Sequence, residues 1–314
     1  MTAIIPPGAV AWGLQLPIQA QSTIFAEPWE DTAGTDDLVA VARAADRAGA
    51  LYVGVCEHVA IPKPYDERMG TTWYHPFTTL GFLAGVTTSV RLLSHVIALP
   101  YHHPLEVAKA FTTLDALSGG RAVLGVGAGH VAPEFDLLGV PFAERGRWVE
   151  RSLPAIRAAL DHEYPSLPGG DWGLDGSAGI APRPVQASVP IWVGGSSPVA
   201  VRRAARHGDG WLPQGIRLDD LPGVVARLRE LRAAAGRPEQ FDVGANVACY
   251  VGDPGRQIGP AYVGGPEEIA EQLRAWVAAG ANQLQVRFHS RNRAELVDQV
   301  LRFGGEVAPL LTGS

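Results

Sequence analysis

Residues 91–129, RLLSHVIALPYHHPLEVAKAFTTLDALSGGRAVLGVGAG, read as a strand, a helix and a second strand. The first apolar run ends near Pro100, and apolar positions then recur at helical spacing from His103 to Gly120. Pro104 suits the first helical turn, and the Gly119-Gly120 pair suits its end. The second apolar run, RAVLGVGAG, follows at once. Strands joined by a helical crossover lie parallel in one sheet.

The same alternation extends in both directions. Upstream lie a strand over Val10 to Pro17, a helix opened by Thr35 and stopped by Gly49, the strand ALYVGVCEH ending at His58, and the helix HPFTTLGFLAGVTT. Downstream come a helix over Arg147 to Leu160, the strand VPIWVGG and its helix PVAVRRAARHG, then GWLPQG and a helix from Leu218 to Ala235. DVGANVACYVG, GPEEIAEQLRAWVAAG, NQLQVRFHS and a helix from Ala294 to Leu310 complete the series. Residues 162–188 lose periodicity and fill with Gly, Pro and Asp, which marks an insertion after strand four lying over one face. Eight strand–helix units of about 39 residues each predict an α/β fold, a (β/α)8 TIM barrel, as a single domain over residues 1–314. The rival is a doubly wound open sheet. It carries a GxGxxG turn after its first strand, and here that turn is missing.

Hydrophobic residues make up 46% of the chain, ample for one large core. The net charge of −6 and the lack of any basic run argue against nucleic acid as a partner. No apolar run reaches 18 residues, so no membrane partner is expected. The N-terminus has no Lys or Arg before its apolar stretch and is broken by Pro6 and Pro7, which argues against a signal peptide and for a cytoplasmic protein. Cys56 and Cys249 sit far apart in apolar runs and read as buried thiols. No CxxC or HExxH spacing suggests a metal site.

In a barrel, chemistry collects where strands end. Strand two ends Cys56-Glu57-His58, and strand four ends Gly127-Ala128-Gly129-His130, with Glu134 four residues on. His58 and His130 therefore face one mouth, as proton carriers or as strand caps. His102, His103, His162 and His207 fall in loops or helices and read as structural. Gly194-Gly195-Ser196-Ser197 is either a phosphate cradle at a helix start or a tight turn. The small residues of 125–129 either admit a flat ring or pack the barrel closely. Ser94-His95 places two polar groups inside an apolar strand; they mark a bulge aimed at a ligand or a polar layer inside the barrel. Trp73, Tyr74, Tyr101, Trp172 and Trp211 either wall an apolar pocket at this face or are buried packing. No GxSxG elbow or acidic pair points to hydrolysis, so the site suits a cofactor with chemistry of its own.

Four stretches carry a family resemblance: residues 124–146, LGVGAGHVAPEFDLLGVPFAERG; residues 182–197, PRPVQASVPIWVGGSS; residues 202–215, RRAARHGDGWLPQG; and residues 264–288, GGPEEIAEQLRAWVAAGANQLQVRF. Together they resemble the luciferase-like monooxygenase superfamily, and most closely its branch of coenzyme F420 (deazaflavin) dependent oxidoreductases from actinobacteria. The resemblance implies a non-proline cis peptide behind the flavin's central ring, matching Ser94-His95. It implies a cofactor-phosphate site at Gly194-Gly195, with Ser196 and Ser197 as helpers. Gly127, Ala128 and Gly129 match the strand bordering the ring system, Trp211 joins the cofactor set, and His58 matches a histidine facing the reactive ring carbon. A homodimer built on helices near strands two and three is implied as well.

The chain departs from the branch's sugar-phosphate dehydrogenases at His130, where they carry a glutamate. It also lacks their phosphate-holding lysines, having only Lys63 and Lys109. The resemblance thus implies hydride exchange between coenzyme F420 and a small apolar or aromatic substrate, with His58 or His130 moving the proton. Two alternatives are a flavin mononucleotide (FMN) dependent monooxygenase on the same fold and a non-catalytic cofactor-binding barrel.

Overall fold

The computed structural model describes residues 3–311. Met1, Thr2 and residues 312–314, part of the single-domain reading, lie outside the described residues. In chain order the elements are β1 (Ala11–Gln15), α1 (Thr35–Arg47), β2 (Tyr52–Val55), α2 (Asp66–Met69), α3 (Pro76–Ala84), β3 (Arg91–Ser94), β4 (Ile97–Ala98), α4 (Pro104–Ser118), β5 (Ala122–Gly127) and α5 (Ala132–Leu137). There follow α6 (Arg145–Asp161), β6 (Ile191–Gly194), α7 (Pro198–His207), β7 (Gly210–Leu212), α8 (Leu221–Ala234), β8 (Asp242–Val251), β9 (Tyr262–Gly264), α9 (Pro266–Ala278), β10 (Gln283–Phe288) and α10 (Arg293–Arg302).

Local chemistry sets the helix limits. Pro104 opens α4, the His103 side chain accepts from the Leu105 amide at 3.3 Å, and Gly119 closes it at φ 68°. In α1, Asp36 and Asp37 occupy the first turn and Arg47 the last, each favourable to the helix dipole. Its buried stripe is Leu38, Val41, Ala42, Ala44 and Ala45.

All strand pairs in the ring are parallel. The order runs β10, β1, β2, β3, β5, β6, β7, β8, and β8 pairs with β10, so the sheet closes into the eight-stranded barrel that the alternation predicts. Along β10, Leu284, Val286 and Phe288 face the helices, while Gln283, Gln285 and Arg287 alternate inward. A separate inner cluster of Tyr52, Leu93, Val123, Trp192 and Leu212 plugs the N-terminal half of the barrel. Beneath it, Asp242 accepts from Trp192 Nε1 at 3.1 Å and from the amides of Ile4 and Ile5. Side chains thus fill the N-terminal half of the barrel interior among the described residues.

The elements depart from the sequence reading in four places. The third strand is split into β3 and β4 by residues 95–96, short helices α2 and α5 stand in the loops after β2 and β5, and β9 pairs with the upper half of β8. The insertion, residues 162–188, runs along the outer side of α4 and α6, which is the face it covers. Arg183 donates to the carbonyls of Ala159 and His162, both at 2.9 Å, and Lys109 Nζ donates to the Ala181 carbonyl. Ala178–Ile180 of the insertion borders a groove of about 850 Å³ along α3 and α4, beside which Phe82 and Leu117 are exposed. Among the described residues, no helix is long and apolar enough to cross a membrane.

Candidate active site

The bulge in the third strand shapes the mouth. Ser94 still pairs with Val55 of β2, but its hydroxyl reaches across to Gly125, donating to the carbonyl at 2.8 Å and accepting from the amide at 2.9 Å. The side chain thereby replaces a rung of the ladder between β3 and β5. The sequence reading placed the cis bond at Ser94-His95 and Ser94 against the cofactor. The cis bond lies one step later, at His95-Val96, and the buried Ser94 hydroxyl is spent on the sheet. The reason is that Ser94 holds its register on both sides, so the chain can deviate only after it.

Val96 then enters between β5 and β6. A Cβ on Gly127 would lie 2.8 Å from the Val96 side chain, and one on Gly194 would lie 3.0 Å from it. His95 faces the interior, where a Cβ on Gly54 would lie 3.0 Å from its own. Its ring is buried, and neither nitrogen has a hydrogen-bond partner among the described residues. Burial pushes the imidazole pKa down to about 4, so the ring is neutral. Between about pH 6.5 and 4 the unfolded chain therefore binds more protons at this position than the folded one, and stability falls as the pH falls. His95→Asn removes that dependence. Relative to wild type, its stability is expected to improve by about 3 kcal/mol between pH 7.5 and pH 4, read from urea unfolding at each pH. A difference that stays constant with pH would show that His95 is not buried as described.

The second strand and α5 build the rim. His58 Nδ1 meets Glu134 Oε2 at 2.8 Å, and Tyr101 donates to the same oxygen at 3.0 Å. Glu134 Oε1 accepts from the amides of Val59 and Ala60 at 2.6 and 3.1 Å. Burial would raise the Glu134 pKa, but the His58 contact and these amides hold it below the usual carboxylate range. Burial and the neighbouring carboxylate push the Tyr101 phenol up, which keeps it a donor. The His58 ring packs edge-on against Trp73 and His130, with centroids 4.4 and 5.5 Å apart. His130 is exposed at the surface of the mouth, and partial desolvation, followed by His58, lowers its pKa. The sequence thus brings its two catalytic candidates together, and the structure adds Glu134 as their shared neighbour.

Two further pairs brace this end. His102 Nε2 meets Glu57 Oε1 at 2.8 Å, and His289 Nδ1 meets Glu27 Oε1 at 2.7 Å. Trp73 stands at the rim and Tyr101 behind it, whereas Trp172 lies in the insertion against His103 and Trp148.

At the end of β6 the backbone differs from a simple cradle. The Gly195 amide donates to the Leu212 carbonyl at 3.0 Å, with φ 105° at Gly195. The Ser196 hydroxyl bridges to the backbone of Gln214, and Ser197 caps α7 through the Ala200 amide at 3.2 Å. Trp211 is buried and faces the helices. Its Nε1 donates to the Gly195 carbonyl at 2.7 Å, so it props the turn from behind instead of lining the mouth. The approach to α7, residues 196–199, is exposed. Gly127 is buried, while Ala128 and Gly129 border the opening, and a Cβ on Gly129 would strike the Phe135 ring at 2.7 Å.

Sequence reading missed the opposite wall. Gln15, Gln285 and Arg287 alternate inward from β1 and β10, and Gln285 Oε1 and Arg287 Nε have no hydrogen-bond partner among the described residues. The signal was present in QLQVRF, where polar residues alternate with apolar ones in a strand covered on its outer face.

A family profile described as luciferase-like monooxygenase matches residues 16–258. The chain belongs to this family. Among relatives of this luciferase-like enzyme is the F420-dependent hydroxymycolic acid dehydrogenase of Mycobacterium tuberculosis, 31% identical over 70% of this chain and 60% of that protein. Another is 4-hydroxyprotoasukamycin monooxygenase of Streptomyces nodosus subsp. asukaensis, 31% identical over 70% of this chain and 62% of that protein. In fold, the enzyme is similar to an F420-dependent secondary alcohol dehydrogenase solved with an F420–acetone adduct. That match has a TM-score of 0.76 and 18% identity, over 97% of this chain and all of that one. It also resembles the FMN-bound oxygenating constituent of 3,6-diketocamphane monooxygenase from Pseudomonas putida, with a TM-score of 0.73 and 18% identity, over 96% and 98% of the two chains. These relatives and fold neighbours are dehydrogenases and monooxygenases, and those whose names state a cofactor use F420 or FMN.

Proposed function

We propose that this luciferase-like enzyme is a coenzyme F420-dependent oxidoreductase acting on a small organic substrate with a largely apolar body. The observation that carries the reading is the wedge of His95 and Val96 between the glycines of β2, β5 and β6, at the same end of the barrel as the His58–Glu134 pair. The residues present fit a flat, polar-edged ring. Gly54, Gly127 and Gly194 keep the floor low, and the unpartnered nitrogens of His95 and Oε1 of Gln285 offer polar contacts. When bound, the coenzyme supplies a ring carbon that takes or gives hydride.

The chain's own residues supply the rest. The exposed approach to α7 offers backbone N–H groups and the positive end of a helix to an anionic tail. His58 and His130 stand together at the rim, where a proton must be accepted or returned as hydride moves. Trp73 and Tyr101 limit water at that point. The same reading takes the chain as a homodimer, for which the apolar groove along α3 and α4, with Phe82 and Leu117 exposed, provides a surface.

Fluorescence titration with coenzyme F420 and, separately, with flavin mononucleotide tests the proposal. Tight binding of F420 with FMN at least tenfold weaker is expected. The opposite order would make the enzyme an FMN-dependent monooxygenase, a reading supported by the monooxygenase activity in the protoasukamycin relative's name and by the FMN-bound fold neighbour. Binding of neither would remove the cofactor argument altogether.

A further inference from the structure

Three histidine–carboxylate pairs lie at this end of the barrel, and they differ in which nitrogen is left over or in what surrounds it. His102 uses Nε2 on Glu57, and its ring borders the α3–α4 groove against Phe77, away from the site. His289 uses Nδ1 on Glu27, but the 252–261 loop covers the rest of its ring, where a Cβ on Gly259 would lie 3.5 Å from Cε1. His58 also uses Nδ1, and of the three it is the one that stands beside the exposed His130 at the rim. Among the described residues, its Nε2 has no hydrogen-bond partner.

Glu134 is fully buried and receives only donors. Two backbone N–H groups point at Oε1, and the Tyr101 hydroxyl points at Oε2. The fourth contact, His58 Nδ1, completes the set at 2.8 Å. A carboxylate surrounded in this way is an acceptor on every side, so the proton of that contact belongs to Nδ1. Trp73 and His130 press on the ring and keep it in this orientation.

We propose that Glu134 is the positioning residue of the site: it holds His58 as the Nδ1–H tautomer, leaving Nε2 to take a proton from the substrate. This rests on the oxidoreductase reading above and deepens it. When Nε2 takes that proton, the ring becomes an imidazolium whose Nδ1–H already faces a carboxylate, so the new charge is balanced without rearrangement. Glu134 touches neither reactant. It acts through His58 and through the 58–60 backbone that it also holds.

Glu134→Gln separates the two roles. Its carbonyl can keep the Val59 and Ala60 amides, but its amide now donates toward His58 Nδ1. The ring must then accept there and carry its proton on Nε2, the wrong tautomer for a base. Long-range nitrogen–proton correlation spectra of histidine-labelled, coenzyme-free protein read this directly, with His58 assigned from a His58→Gln sample. Wild type is expected to show His58 as the Nδ1–H tautomer, E134Q as the Nε2–H tautomer, and Glu134→Asp as wild type. If E134Q does not fold, the wild-type spectrum still decides. An Nε2–H tautomer in wild type, or no change in a folded E134Q, overturns the proposal. Because these spectra need no coenzyme, they stand apart from the titration that tests the cofactor. Once a substrate is in hand, E134Q is expected to lower turnover on the order of 10²-fold or more, the range of a lost general base.

Discussion

Gly125→Ala is expected to destabilise the protein by about 3 kcal/mol or more, and to leave little soluble enzyme. The added Cβ would lie 1.8 Å from the Ser94 carbonyl oxygen and 3.1 Å from Leu93 Cδ1. A flexible side chain could move away, but a backbone carbonyl inside a closed barrel cannot. To relieve the clash, β3 and β5 must separate where the Ser94 hydroxyl bridges them, and two buried hydrogen bonds go with the separation. The same movement displaces His95 and Val96, so any folded fraction should also lose cofactor binding. Thermal and urea unfolding check the first effect. A variant as stable as wild type would mean that the close approach of these strands is wrong.

The second large effect is expected at Asp115, far from the mouth. This fully buried carboxylate accepts from the amides of Val185 and Gln186 at 2.8 and 3.0 Å, from Gln186 Nε2 at 2.6 Å and from the Ala122 amide at 3.2 Å. It therefore fastens the end of the insertion to α4 and to the start of β5. Asp115→Ala leaves several donors without a partner, and each costs about 1–3 kcal/mol when buried. A total loss of about 4 kcal/mol is expected, with protease cleavage appearing first within residues 162–188. Denaturation and limited proteolysis measure the two effects separately. A loss under about 1 kcal/mol with an unchanged digest would show that the insertion is held by other contacts, such as those of Arg183.

The two positions differ in how visible they are in the chain. Gly125 lies in a GxGxG run that marks close approach of backbone to something, and sequence reading left open whether that was a ligand or the barrel itself. For Gly125 it is the barrel, because Ser94 fills the space. For Gly127 it is the side chain of Val96, which forms the floor of the mouth. Asp115 gave no signal at all. It sits in a helix with ordinary spacing, and its four partners come from residues up to 71 positions away.

The chain by itself determined the barrel. Eight apolar runs alternating with helical segments allow few other closed arrangements, because each parallel crossover must return on the same hand and each strand must be covered. It also determined that His58 and His130 share a mouth, since strand ends of one barrel point the same way. The tertiary structure decided what those residues can do. Which nitrogen of His58 is free depends on Glu134, 76 residues further along, and on Tyr101 beside it. Where the third strand breaks depends on a hydroxyl bridge to β5, which moved the cis bond to His95-Val96. The inward Gln285 and Arg287 acquire meaning only when β10 closes against β1 and β8. Periodicity is local and survives in the sequence, whereas hydrogen-bond partners across a barrel are set by which strands meet.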